Sequence, residues 1–161
     1  MKTINVIYVI LLGLLFASCS SVKPATISKN DDIKKYKYFY ISPTNSLTSS
    51  SGTTINGQYY SSTKSVNPSD IITGILTKEG FIKIPELNNE LKDQTLIINY
   101  GESGRRGTGL GSYAIEVTIQ FITANTHTSI SSCTAEGRGE TEADDIRKAI
   151  KSCLGAIFQN K

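Results

Sequence analysis

The chain has 161 residues, with 17 Lys and Arg against 14 Asp and Glu for a formal charge of +3. That length suits one folded domain once a leader is set aside. The small positive balance is spread over mixed-sign pairs, which excludes an electrostatic nucleic-acid binder, and the single histidine, His127, excludes a histidine-based metal cluster.

In chain order, Lys2 comes first, then an apolar run over 4–16, then small Ala17 and Ser18 before Cys19. This is the charged start, apolar centre and small-residue cleavage site of a secretory signal. The apolar run falls short of the roughly 20 residues that a membrane-spanning helix needs. An ordinary cleaved signal and an uncleaved anchor remain alternatives on these residues alone. The leader is read as 1–18 and the poorly apolar segment 19–34 as a tether, leaving 35–161 as a single domain.

The domain opens on K-Y-K-Y-F-Y-I, where Tyr36, Tyr38 and Tyr40 alternate with Lys37, Phe39 and Ile41, the period-two pattern of a strand. Pro43 stops it. Residues 42–67 are dominated by Ser, Thr, Asn and Gly and are read as a mobile polar insertion. Asn56-Gly57, the preferred type I′ turn dipeptide, makes an exposed hairpin the alternative. A helix should start at Asn67 as cap, with Pro68 in the first turn and Ile71, Ile72, Ile75 and Leu76 on one face. Gly80 should end it, followed by a short strand over 81–84.

Residues 95–100 read as a buried strand and 101–112 as a glycine-rich loop. Over 113–121, Tyr113, Ile115, Val117, Ile119 and Phe121 share one face, while Glu116, Thr118 and Gln120 share the other. One packed and one wet face is the signature of an antiparallel sheet covered on one side. A strand of small residues follows over 129–136. Thr141 and Asp144 then form a capping signature ahead of the stripe Ala143, Ile146, Ile150, Cys153, Ile157 and Phe158. The expected fold is α+β: a mixed, mainly antiparallel sheet of four to five strands with two helices on one face.

The loop over 101–112 looks most like a site, because Arg105 and Arg106 are suited to a phosphate or carboxylate. A mobile hairpin loop is the plainer reading. A nucleotide site is excluded, since G-T-G-L-G lacks the dinucleotide-binding spacing and runs into a strand. His127 lies in a turn, and without a G-x-S-x-G elbow no hydrolase triad can be assembled. Asp144 and Asp145 sit where a helix start favours carboxylates, so they read as a cap before an acid pair. Cys133 and Cys153 are an even pair suited to a disulfide if the chain is exported, although free cysteine also packs well in a core. No cofactor or metal is called for.

The F-A-S-C ending at 16–19 resembles the lipobox of bacterial lipoproteins, which implies lipidation of Cys19. The pieces K-E-G-F-I-K-I at 78–84, the meander at 95–136 and A-D-D-I-R-K-A-I-K at 143–151 resemble a group of small envelope lipoproteins. That group includes the lipopolysaccharide-translocon auxiliary lipoprotein, the N-terminal domain of the Tol-system propeller protein and the curli-secretion lipoprotein. As a whole, 35–158 looks most similar to envelope lipoproteins of Bacteroidota-type bacteria. The resemblance implies an envelope address, with the chain held by N-terminal acyl chains. Ser20 after the cysteine resembles the outer-membrane default, facing the periplasm. It also implies an envelope protein as partner, and it carries over no catalytic residue. The functional expectation is a non-enzymatic assembly, scaffolding or transport-support module. The alternative is a binding lipoprotein for an anionic glycan, lipid or peptide using Arg105 and Arg106, and a small hydrolase ranks last.

Overall fold

The computed structural model describes residues 22–109 and 112–159, so the leader and Cys19 lie outside the described residues. The chain is α+β. It runs through β1 (Thr26–Lys29), β2 (Tyr38–Ile41), β3 (Leu47–Ile55), β4 (Gln58–Val66), α1 (Pro68–Lys78), β5 (Ile82–Lys83), β6 (Thr95–Gly109), β7 (Ser112–Thr123), β8 (Ser129–Gly137) and α2 (Glu142–Gln159). Two 3₁₀ turns, Ile33–Lys35 and Asn89–Gln94, join elements.

The main sheet has six strands in the order β1-β8-β7-β6-β2-β5, and β3 with β4 forms a separate two-stranded sheet. The pairings β1 with β8, β8 with β7 and β7 with β6 are antiparallel, whereas β2 lies parallel to both β6 and β5. The sheet is therefore mixed, and larger than the expected four to five strands. The added strand is β1. Residues 26–29, read from sequence as part of a tether, pair with 131–134 of β8. The composition of this segment hides it, because an edge strand needs backbone partners more than apolar side chains, and only Ile27 packs against the core.

Within 42–67 the hairpin alternative is the one found, built by Leu47–Ile55 and Gln58–Val66. Nine consecutive pairs run from Leu47↔Val66 to Ile55↔Gln58. Asn56 (φ 51°) and Gly57 (φ 77°) both take the left-handed backbone that a two-residue type I′ turn requires.

Helix α1 is built as its sequence dictates. The Asn67 side chain accepts from the Asp70 N–H, and Pro68 occupies the first turn. At the far end Gly80 is left-handed, its N–H bonds to Thr77 C=O and the Phe81 N–H bonds to Leu76 C=O, which closes a Schellman cap. Phe81 is thereby turned into the core, where its ring lies 6.1 Å from that of Phe158 on α2. Helix α2 starts on Thr141, whose side-chain oxygen accepts from the Asp144 N–H at 3.3 Å.

Both helices and one face of the sheet share a single core. Phe39, Leu96, Ile98, Ile115, Val117, Ile119 and Phe121 come from the sheet; Ile72 and Leu76 come from α1; Ile146, Ile150, Cys153 and Leu154 come from α2. Cys133 on β8 and Cys153 on α2 form a disulfide with α-carbons 5.5 Å apart, tying helix to sheet within that core. Gly137, at the end of β8, is where strand and helix come closest. A Cβ there would overlap the Asp145 carbonyl oxygen and the Ala149 nitrogen, so no larger residue fits. Tyr113 departs from the expected inward face of β7: it is 54% exposed. The parity is right, but the residue opens onto a cleft beside the first turn of α2.

Candidate functional site

Four pieces of chain meet at one end of the sheet: the base of the β3–β4 hairpin, the far half of β6, the start of β7, and the first turn of α2. The expected glycine-rich loop over 101–112 is largely strand. β6 continues to Gly109, with register shifts between Ser103 and Arg105 and between Gly107 and Gly109. Clustered glycines signal a loop in a sequence, but within a strand they also mark bulges. The first bulge reverses the alternation. Ser103 lies opposite Glu116 on the outer face, yet Arg105 lies opposite Ile115 on the helix side and Arg106 opposite Ala114 on the outer side.

The two arginines therefore leave the strand on opposite faces, and each meets a carboxylate. Arg105 is ion-paired with Glu142 in the first turn of α2. Arg106 forks onto Glu136 of β8: Nε donates to Oε1 at 2.9 Å and Nη2 to Oε2 at 2.5 Å. The Glu136 side chain is only 3% exposed. Lys23 adds a backbone donation to Oε2 at 3.1 Å and its ammonium lies 3.3 Å from Oε1. Both arginines are thus engaged in internal ion pairs.

Those contacts set the Glu136 acidity. Its hydrogen bonds with Arg106 outweigh burial and hold the carboxyl at about 2, and Lys23 adds to the effect. In the unfolded chain the same group takes up a proton near pH 4.5. Folding is thus favoured by this group above pH 4.5, and that contribution is lost as the pH falls towards 2. Glu136→Gln should flatten the stability–pH curve between pH 4.5 and 2 in acid-titration unfolding. A curve as steep as the parent's would show that Glu136 is not held by Arg106.

The hairpin is bolted to α2 by a second set of charges. Lys64 lies 2.6 Å from Asp144 Oδ2 and 3.3 Å from Glu140 Oε2. The Ser49 hydroxyl accepts from the Ala143 N–H at 2.9 Å, and Arg147 donates to the Ser65 carbonyl at 2.8 Å. A hairpin hydroxyl thus satisfies one of the open amides at the helix start. The hydrogen bond from Lys64 holds the Asp144 carboxyl below the usual range, whereas burial raises that of Asp145, which accepts from the Gly139 N–H. The expectation that Asp144 is a capping carboxylate is thus extended: it is the anchor for the hairpin's lysine.

Between these contacts lies a polar cleft of about 380 Å³, lined among others by Ser49, Ser50, Arg105, Tyr113, Glu140 and Asp145. Among the described residues no group of three or more His, Cys, Asp or Glu is placed to hold a metal ion. His127 sits exposed in the β7–β8 turn with φ 54°, at the other end of β7 from the cleft-lining Tyr113. No helix among the described residues is long and apolar enough to cross a membrane.

No family model matches the chain, and no curated protein matches it. Among solved structures it is similar to a dodecamer of a PelC variant from Paraburkholderia phytofirmans. The two share 15% identity over 83% of this chain and 92% of that one, with a TM-score of 0.48. A likeness that loose carries no argument about this chain.

Beyond the bolted base, the hairpin changes character. Ile55, Tyr59 and Tyr60 are 55%, 71% and 54% exposed, and together with the Asn56-Gly57 turn they form its tip. In sequence these two adjacent tyrosines differ from those of β2, which alternate with Lys37, Phe39 and Ile41.

Proposed function

We propose that this protein is a lipid-anchored module of the bacterial cell envelope that works by contact with another protein, in assembly, scaffolding or transport support, and not by catalysis. The observation that carries the reading is the β3–β4 hairpin. It is braced at its base by Lys64, Ser49 and Arg147 contacts to α2, and it presents Ile55, Tyr59 and Tyr60 to solvent at its tip. Exposed aromatic residues on a rigid support are the make-up of contact hot spots. The leader and F-A-S-C at 16–19 support the anchor at Cys19, and Ser20 supports the outer membrane facing the periplasm. Membership of the Bacteroidota-type envelope lipoproteins belongs to the same reading. The alternative, an anionic-ligand site at Arg105 and Arg106, is disfavoured because Glu142 and Glu136 already neutralise both side chains.

The contact reading is tested by cross-linking in membranes followed by affinity purification of the full chain. The parent should bring down a defined protein partner. A Tyr59→Ser, Tyr60→Ser double variant should lose most of it while its melting temperature stays within the small shift expected of surface changes. Undiminished recovery with the double variant would remove the hairpin tip from the contact.

A further inference from the structure

Sheet edges are where this molecule treats its strands unequally. An edge strand offers unpaired N–H and C=O groups to any other strand, and proteins blunt such edges with short length, lysine, proline or a covering element. β1 is four residues long, preceded by Pro24 and ended by Lys29; β5 is two residues long, ends on Lys83 and is soon followed by Pro85. The outer edge of β4 is crossed at its base by Arg147, which takes the Ser65 carbonyl. β3 has none of these devices. Its nine residues, L-T-S-S-S-G-T-T-I, carry no charge and no proline, and its two-stranded sheet leaves its outer edge without a strand partner.

The register fixes which groups that edge presents. In a two-residue hairpin the pair next to the turn, here Ile55↔Gln58, is hydrogen-bonded, and bonded and non-bonded pairs then alternate. The backbone groups of Thr48, Ser50, Gly52 and Thr54 therefore point away from β4, and these four residues are all exposed. They have no backbone partner among the described residues. The Tyr59 ring lies across Gly52 on one face of the hairpin, its hydroxyl end occupying the place a Cβ would take.

We propose that this edge pairs antiparallel with the same edge of a second copy of the chain, joining two hairpins into a four-stranded sheet centred on Ser51. The pattern is self-complementary. With a two-fold axis at Ser51, Thr48 meets Thr54 of the other copy and Ser50 meets Gly52, so every outward-pointing residue finds another outward-pointing residue. Such isologous pairing places no like charges together, because β3 has none. The pairing deepens the contact role proposed above and rests on it in one respect: copies held on one membrane by acyl chains are concentrated for it.

The test uses the full chain purified from membranes in mild detergent. At a two-fold axis Ser51 forms a non-hydrogen-bonded pair with its copy, with α-carbons about 4.5 Å apart, a separation that a disulfide spans. Ser51→Cys should therefore cross-link to a covalent dimer on mild oxidation, whereas Thr63→Cys on β4 should stay monomeric. Ser50→Pro removes an outward N–H without touching the ladder to β4. It should convert a sedimenting dimer to monomer while the chain keeps its cooperative unfolding, its melting temperature falling only by the lost pairing and the lost Ser50–Thr63 hydrogen bond. Equal cross-linking of Ser51→Cys and Thr63→Cys, or a Ser50→Pro chain that stays dimeric, overturns the pairing. A parent that is monomeric while the hairpin tip still recovers a different protein overturns the pairing alone and leaves the contact role standing; a monomer that recovers nothing overturns both.

Discussion

Val117→Asp is expected to abolish the folded domain at ordinary temperature. Val117 is fully buried at the middle of β7, between Glu102 of β6 and Ala135 of β8, with its side chain in the core shared by both helices. A carboxylate there finds no partner in that apolar cluster. Burying an unpaired charge costs several kcal/mol even after the group neutralises itself, against a total stability of about 5–15 kcal/mol for a domain of this kind. The neighbouring residue provides the contrast. Thr118 points to the other face, where its hydroxyl shares a hydrogen bond with Thr134 at 2.9 Å. Thr118→Ala should cost only about 1 kcal/mol. Denaturant titration of the two variants checks the register of β7, and equal losses would contradict it.

Removing the Cys133–Cys153 bridge is the second large expected effect. The bond closes a loop of 20 residues in sequence, and chain-entropy reasoning puts its contribution at roughly 3 kcal/mol. Both cysteines are buried, so their replacement by alanine adds the void of the lost sulfurs to the lost cross-link. The Cys133→Ala, Cys153→Ala double variant should melt well below the oxidised parent and should not respond to reductant. The parent should fall to a similar melting temperature when reduced. Thiol labelling of the denatured, unreduced parent should find neither cysteine reactive, and two reactive thiols at these positions would contradict the bridge.

The parts of the fold that were legible in the sequence are those decided locally. Asn67, Pro68, Gly80 and Phe81 spell out both ends of α1 because caps are made by residues adjacent in the chain. The alternation of 115–121 gives β7 its buried face for the same reason. What escaped is decided by partners far away in sequence. β1 exists because β8 offers it an edge about a hundred residues on. The glycines of 101–109 bend a strand instead of ending it because β7 pairs with them across two bulges.

The candidate site divides along the same line. Arg105 and Arg106 were legible as a charged pair among glycines. Their partners Glu142 and Glu136 lie 37 and 30 residues away, and only the bulge at Ser103–Arg105 sends the two side chains to opposite faces. One signal for Glu136 was present: it is the sole charged residue in a strand otherwise made of small and apolar ones. The hairpin had its turn written in Asn56-Gly57, but its seating on α2 through Lys64 and Ser49 depends on Asp144 and Ala143, 80 and 94 residues further on.

The lipid anchor proposed at Cys19 is the position from which the contacts proposed for the hairpin would act. The most direct test is Triton X-114 phase partitioning of the parent and of Cys19→Ala, expressed in a diderm bacterium. The parent should enter the detergent phase, and its mature mass should correspond to a chain beginning at Cys19 with acyl groups added. The Cys19→Ala chain should remain unlipidated and leave the detergent phase. A Cys19→Ala chain that partitions as the parent does, or a mature parent without acyl mass on Cys19, would contradict the account.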